Sequence, residues 1–180
     1  MALGFLADRS RRLLDGAIRV SSAGTWARPG SPPTDEAEEA VRERGVDISE
    51  HRSTPFAPDQ AARADLVLTM TGEQREEVLD AVPDAAARTF TLKELVALLG
   101  ALPAPAGEVS REALVVRIAE ADRLRASGQA PRPADEDVAD PIGLSAATYQ
   151  AVAWELEELT DALVRGLAGV TAPVAAGDEG

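Results

Sequence analysis

Residues 65–71 read DLVLTMT, and this run decides which class of fold the chain can adopt. The run is short, apolar and partly β-branched, as expected of a strand that is covered on both faces. Strands of that kind occur in parallel sheets with helices on either side. The run therefore predicts an α/β protein in which residues 65–71 form a central strand.

Helix starts and two further strands extend this prediction along the chain. Thr71 and Gln74 have the spacing of a capping box, as do Thr91 and Glu94, and the strand 88–91 lies between these two helix starts. A weaker strand is expected at 17–22, AIRVSS. Four more helices are predicted: from residue 1 to Gly16, from 34 to about 44, from 110 onward, and over about 145–167.

The number of strands poses a difficulty for this arrangement. A strand covered on both faces needs hydrogen-bonding neighbours along both of its edges. Strand 88–91 can supply one neighbour of strand 65–71, and only the weaker segment 17–22 remains for the other edge. Either the sheet is small, or a strand is missing from it.

Length and charge limit the classes of function. The 180 residues can bury one core, so we expect one domain, residues 1–168, and a disordered tail, residues 169–180. The net charge of -13 opposes binding to nucleic acid and to anionic membranes. No run reaches the roughly 20 apolar residues of a membrane span, and we expect a cytoplasmic protein. The chain has no cysteine, and no motif implies a metal or an organic cofactor.

One loop carries a candidate catalytic group. Residues 136–143 read EDVADPIG, and Asp140 precedes a proline in a Pro-rich, acidic loop ahead of the last helix. A carboxyl group there can serve as a proton donor. It can equally belong to an ordinary Asp-Pro turn, which is a common loop device. The residues of this loop alone leave both interpretations open.

Several stretches taken in order resemble one family. They are IRVSSAGTW, RERGVDISEHRS, ADLVLTMT, RTFTLKEL, and DPIG followed by YQAVAWELEELTDALV. Over roughly residues 1–167 this order and spacing are similar to the low-molecular-weight protein tyrosine phosphatases. The resemblance implies a flavodoxin-like, three-layer fold, with a parallel sheet and helices on both faces. It also implies that the first, central strand and the Cys-(five residues)-Arg-Ser phosphate loop after it would precede Met1.

The same resemblance implies a mechanism. In the family, a cysteine thiolate attacks phosphorus to form a phosphocysteine, and the aspartic acid of the Asp-Pro loop protonates the leaving oxygen. Asp140 matches that general acid. Arg9 and Ser10 do not match the end of the phosphate loop, because no cysteine precedes them. Without the nucleophile, we expect this chain to be inactive as written.

Other site residues follow from the resemblance. Trp26 matches an aromatic position at the rim of the substrate cleft, although a half-buried aromatic beneath a loop is an equal alternative. Ser22 matches a serine that supports the phosphate loop, and His51 matches a structural position. Where many tyrosine phosphatases place aromatic residues after Asp-Pro, this chain has Ile142 and Gly143. Ile142 is therefore a candidate substrate contact, and the change leaves room for relatives that act on phosphoarginine or on arsenate.

Two hypotheses about function remain at this point. The first is a phosphatase that hydrolyses phosphate monoesters of phosphotyrosine type on protein, or small phosphate esters, and whose sequence is clipped at its start. A clipped arginine phosphatase or arsenate reductase-like relative is a variant of this hypothesis. The second is a non-catalytic domain that binds or regulates a partner.

Overall fold

A computed structural model describes residues 1–14, 18–105, 108–130 and 133–169. Two strands, β1 (Val67–Thr69) and β2 (Thr89–Thr91), lie among the helices, and a 3₁₀ turn at Pro83–Arg88 leads into β2. Within the described ranges the helices are α1 (Ala2–Leu13), α2 (Asp35–Arg42), α3 (Pro58–Arg63), α4 (Gly72–Ala81), α5 (Leu92–Ala101), α6 (Arg111–Ala126) and α7 (Ala146–Ala168). Gly16 and all of the expected tail except Gly169 lie outside the described residues.

The sheet is parallel, as predicted, and small. Strands β1 and β2 pair in the register Val67 with Thr89, Leu68 with Phe90 and Thr69 with Thr91. All three residues of β2 are buried, whereas Val67 and Leu68 of β1 are only half-buried. Among the described residues each strand has one paired edge, so the difference comes from the helices: α4 packs against both strands, and α5 packs against β2. Strand 65–71 is shorter than predicted.

The strand expected at 17–22 does not form over its described part. Residues 18–22 have no strand pairing, and Ala17 lies outside the described residues. An extended segment needs a neighbouring strand to satisfy its backbone groups, and no strand of the described chain lies beside this one. The following loop is tied instead to residues 53–56, through an isolated parallel bridge between Gly24 and Pro55.

The predicted helix starts are confirmed by their capping hydrogen bonds. The Thr71 hydroxyl accepts a hydrogen bond from the Gln74 amide, at 3.2 Å, and the Thr91 hydroxyl accepts one from the Glu94 amide, at 3.2 Å. Thr34, Ser110 and Ser145 cap α2, α6 and α7 in the same way. Helix α3 was missed, and its one local signal is Pro58 at the first helical position.

Helix α7 is the element around which the core is organised. It packs against α1, α2 and α5, and it buries eight residues, including Tyr149 and Leu163. Helix α1 approaches its neighbours closely, because a Cβ atom at Gly4 would lie 2.6 Å from Ile48 Cγ2. Arg9 on α1 pairs with Glu157 on α7 at 3.0 Å, so this arginine joins two helices as a structural residue. No helix among the described residues is long and apolar enough to cross a membrane.

Candidate functional site

The Asp-Pro loop crosses the sheet at the end where β1 stops. The Val138 amide donates to the Met70 carbonyl at 2.8 Å, and the Val138 side chain is buried. Because Met70 directly follows β1, this contact places the loop at the carboxyl end of the parallel pair. In open α/β sheets, ligands bind beyond the carboxyl ends of the strands.

Asp137 joins this loop to the start of α4. Its Oδ1 accepts a hydrogen bond from the Gly72 amide at 2.8 Å, so the carboxylate lies at the positive end of the helix. The backbone carbonyl of Asp137 accepts a second hydrogen bond from Lys93 Nζ at 2.6 Å. Lys93 also pairs with Glu155 of α7 at 2.8 Å. Helices α4 and α5 therefore hold the segment just before Asp140, and α7 holds Lys93 in place through Glu155.

Asp140 itself is exposed between two buried residues, Val138 and Pro141. Its Oδ1 accepts a hydrogen bond from the Ile142 amide at 3.0 Å, and the Leu144 amide donates to the Pro141 carbonyl at 2.9 Å. Gly143 takes a φ of 74°, which favours glycine over residues with a side chain. The turn fixes one carboxylate oxygen and directs the side chain into solvent, where a substrate can reach it.

The aromatic and apolar candidates lie in different places. Ile142 is two residues from Asp140, and 68% of its surface is exposed. Trp26 is 91% exposed and lines an open cleft with Phe56 and Glu77, a cleft that Asp140 does not line. Ser22 is exposed as well. The structure therefore brings Ile142 to Asp140, and the roles of Trp26 and Ser22 in a shared site stay predictions.

His51 lies on the surface of the turn after Ile48, whose carbonyl accepts the His51 amide at 2.9 Å. Partial burial lowers the pKa of His51 below its usual value of 6.5, and the positive charges of the amino terminus and Arg52 lower it further. The side chain is therefore neutral at pH 7. Among the described residues, no group of three His, Cys, Asp or Glu side chains is placed to hold a metal ion.

Sequence reasoning did not identify Asp137 and Lys93, which position the loop. Asp137 is an unremarkable acid in an acidic stretch, and its partner Gly72 lies 65 residues away in the sequence. Lys93 lies 44 residues from the carbonyl that it contacts. The one available signal was the helix start at Thr71 directly after a buried strand, because such starts attract anionic groups.

The sequence is similar to phosphatases of two kinds. A probable low molecular weight protein-tyrosine-phosphatase, EpsP of Ralstonia nicotianae, is 38% identical over 85 residues, which are 47% of this chain. The match spans 58% of that relative's length. A protein-arginine-phosphatase of Geobacillus stearothermophilus is 29% identical over 150 residues, which are 83% of this chain and 77% of that protein.

Solved structures show the same likeness over most of the chain. The YwlE arginine phosphatase from Geobacillus stearothermophilus superposes with a TM-score of 0.65 at 27% identity, covering 91% of this chain and 80% of that one. A low molecular weight protein tyrosine phosphatase from T. tengcongensis also gives 0.65, at 28% identity, covering 91% and 87%. These neighbours have the flavodoxin-like fold, so the predicted fold class is confirmed.

The family is established by a match of its own. The family model described as low molecular weight phosphotyrosine protein phosphatase matches residues 1–105, which is more than half of the 180 residues. The resemblance found in the sequence is thereby confirmed, and the chain belongs to the low molecular weight phosphotyrosine protein phosphatase family.

Proposed function

We propose that this domain carries the proton-transfer half of a phosphatase site, and that Asp140 is its general acid and base. The substrates are phosphate monoesters on protein, or small phosphate esters. Asp140 lies beyond residues 1–105, which the family model matches, so the proposal depends on where the fold places this side chain. The observation that supports it is the position of its loop: Val138 is bonded to Met70 at the carboxyl end of β1, Asp137 is bonded to the first residue of α4, and Asp140 is exposed a few residues further on.

The proposed reaction has two steps. In the first, a cysteine thiolate forms an S–P bond while the P–O bond to the leaving group breaks, and the leaving oxygen takes the proton of Asp140. In the second, Asp140 takes a proton from water, the water oxygen attacks phosphorus, and the thiolate is released. Residues 1–180 contain no cysteine, so the nucleophile would have to come from residues outside this sequence.

The first test uses the chain as it stands. We expect no hydrolysis of para-nitrophenyl phosphate above the buffer rate, because a general acid has nothing to assist without a nucleophile. If the parent chain did hydrolyse the ester and Asp140→Asn abolished that activity, the chain would hold another nucleophile. The two-step scheme would then be wrong. Hydrolysis unchanged in Asp140→Asn would indicate a contaminating enzyme.

The second test uses the DNA upstream of the Met1 codon. An in-frame stretch encoding an apolar strand, Cys, five residues, Arg and Ser would support the phosphatase, and an in-frame stop directly before Met1 would refute it. In the extended protein we expect Asp140→Asn to lower kcat by about 10²- to 10⁴-fold. Glu136→Gln, which removes a negative charge from the same loop at a half-buried side chain without a hydrogen bond or ion pair among the described residues, should leave kcat unchanged.

Phosphoarginine is the second candidate substrate. Ile142 beside Asp140 offers no aromatic ring for a phosphotyrosine side chain to stack against, and the arginine phosphatase of Geobacillus stearothermophilus aligns with 83% of this chain. In the extended protein, a larger kcat/KM for a phosphoarginine peptide than for a phosphotyrosine peptide would favour this candidate. The opposite order would exclude it.

A non-catalytic role is the alternative for residues 1–180 taken alone. The observation that favours it is the absence of cysteine from residues 1–180, combined with an Asp-Pro loop that is held in place by α4 and α5. Under this alternative, a phosphopeptide would bind the chain without being hydrolysed. An in-frame upstream stop together with retained phosphopeptide binding would establish it.

A further inference from the structure

Helix α7 exposes one side of its first half to solvent. Ala147, Ala151 and Trp154 are exposed, and their spacing of four and then three residues places them on one face of the helix. Tyr149 and the other buried residues of α7 lie on the side that packs against the core. We call this exposed face, together with Leu144 just before the helix, the α7 stripe. From Leu144 to Trp154 it is about 15 Å long.

Two large apolar side chains distinguish the α7 stripe from an ordinary helix surface. Trp154 is 57% exposed and Leu144 is 56% exposed, although α7 is the best-packed helix of the described chain. Apart from the predicted site residues, the described chain exposes two other large apolar side chains, Val115 and Val116 on α6. Leaving the indole of a tryptophan in water is costly, and tryptophan is among the residues most enriched where proteins bind each other. The α7 stripe is therefore a candidate contact surface.

The charge around the α7 stripe is negative. Residues 133–164 contain no lysine, arginine or histidine, whereas acidic residues occur both in the Asp-Pro loop and along α7. Glu158 is exposed one turn beyond Trp154, and it makes no ion pair among the described residues. The cations that reach α7 from neighbouring helices are paired with its other acids: Lys93 with Glu155, and Arg9 and Arg44 with Glu157. A partner that complements this surface carries positive charge beside its apolar residues.

Backbone hydrogen bonding favours a helix as the shape of that partner. The amides and carbonyls in the middle of α7 are bonded within the helix, so the stripe offers side chains alone. An extended segment laid along it would place its own backbone groups against apolar side chains without hydrogen-bond partners. An amphipathic helix satisfies its backbone internally and presents apolar side chains at the spacing of the stripe.

The same negative charge disfavours two other occupants. A second copy of this chain would bring two Glu158 carboxylates towards each other, and each copy carries a net charge of -13. The anionic surface of a membrane would be repelled for the same reason. A basic helix, by contrast, is attracted to this surface before it makes contact.

We infer that the α7 stripe binds an amphipathic helix of a partner protein, one whose apolar face is bordered by lysine or arginine. Leu144 and Trp154 provide the apolar contacts at the two ends of the stripe, and Glu158 faces the basic border of the partner. The inference does not depend on the proposed phosphatase activity, because binding to this surface requires no nucleophile.

The test is a titration in a Trp26→Phe background, in which Trp154 is the only tryptophan and reports on the stripe. The probe is the acetylated and amidated peptide LKKLLKLLKKLLKL, which is patterned as a basic amphipathic helix about 21 Å long. We expect it to bind saturably and to shift the fluorescence of Trp154 to shorter wavelength. A peptide with glutamate in place of every lysine, and one in which leucine and lysine alternate as in a strand, should each bind at least roughly tenfold more weakly. Equal affinity for the three peptides, or binding of none, would overturn the inference.

Variants of the parent chain separate the stripe from exposed apolar surface in general, with a fluorescent label on the lysine peptide as the signal. Trp154→Ala should weaken binding by roughly tenfold or more, and Leu144→Ser by roughly fivefold. Val116→Ser is the matched control, because Val116 is 55% exposed on α6, and it should retain the affinity within about twofold. Equal losses in Leu144→Ser and Val116→Ser would contradict a site on α7.

Sedimentation of the parent chain at rising concentration tests the second copy as occupant. We expect no dimer that Trp154→Ala dissociates. A dimer that this variant dissociates would assign the α7 stripe to self-association, and the inference of a basic partner helix would be wrong.

Discussion

Asp137 fixes the candidate site through one carboxylate and one carbonyl. Its Oδ1 satisfies the Gly72 amide at the start of α4, which the Thr71 hydroxyl leaves free because that hydroxyl caps Gln74 instead. We expect Asp137→Ala to lower the free energy of unfolding by about 1 kcal/mol, the usual cost of losing such a cap. Denaturation by urea, followed by the circular dichroism of the helices, measures this loss.

Asp140→Asn, another change in the same loop, serves as the control for this prediction. Its amide oxygen can still accept the Ile142 amide, so the free energy of unfolding should stay within about 0.5 kcal/mol of the parent value. An Asp137→Ala variant as stable as Asp140→Asn would show that Lys93 and Val138 hold the loop without the cap.

Residue chemistry was predictable from the sequence only where it is local. The turn at Asp140 is signalled by its proline and by the helix that follows it, whereas the proposed role of Asp140 came from the family resemblance. The cap residues are signalled by their spacing from the first helical turn. Asp137 and Lys93 were not found, because the partner of each lies far away in the sequence. An exposed acid in an acidic chain carries no other mark.

Replacing a glycine by alanine should change the free energy of unfolding in opposite directions at two helical positions. At Gly166 of α7, a Cβ atom would lie 2.9 Å from Leu99 Cβ, so α5 and α7 could not keep their separation. Gly166→Ala should therefore lower the free energy of unfolding by about 1 to 3 kcal/mol. At Gly100 of α5 a Cβ atom would meet no other part of the described chain within 4 Å, and Gly100→Ala should raise the free energy of unfolding by up to about 1 kcal/mol.

Thermal and urea denaturation of the two alanine variants measure the direction of each change in the free energy of unfolding. If Gly166→Ala were stabilising, the close approach of α5 and α7 at Leu99 would have to be looser than the structure shows. If Gly100→Ala were destabilising, that glycine would have a role beyond its open surroundings.

Helices and strands differed in how far the sequence determined them. The starts of α2, α4, α5, α6 and α7 agree with the prediction, because each is signalled by a cap within a few residues. The strands were predicted to be longer than they are, because the length of a strand depends on the neighbouring strand with which it pairs. Residues 65–71 pair only at Val67–Thr69, where β2 runs alongside, and residues 18–22 pair with no strand.

His51 gives the whole molecule a predictable response to acid. Its pKa is lowered in the folded state, first by burial and then by nearby positive charge, so the unfolded chain binds the proton more readily. The contribution of His51 to stability is complete above the unfolded pKa of about 6.5 and is lost as the pH falls towards the lower folded pKa. His51→Gln removes this dependence.

The measurement for His51 compares two proteins across pH. The difference in unfolding free energy between the parent and His51→Gln should be constant from pH 7.5 to 8.5 and should shift against the parent between pH 6.5 and pH 5.5. The many carboxyl groups titrate alike in both proteins and cancel. A difference that did not change across this interval would show that His51 keeps its ordinary pKa.

Among the described residues β1 has one unpaired edge, and we expect the sheet to be less stable than the helices. β1 has three residues, two of them half-buried, and one paired edge, whereas α7 is enclosed by α1, α2 and α5. Two strands alone are marginal in water, and an unpaired edge is a template for pairing with other chains. We therefore expect the purified chain to unfold with poor cooperativity or to aggregate as its concentration rises.

Amide hydrogen exchange tests this expectation within one molecule, and thermal unfolding tests it for the whole. The amides of Val67–Thr69 should exchange by local opening, at least about 100-fold faster than the buried middle of α7, which requires global unfolding. The fully buried β2 serves as the internal comparison and should be slower than β1. Equal protection of β1 and α7, with a sharp and reversible thermal transition of the monomer, would mean that the helices stabilise this sheet without a neighbour for β1.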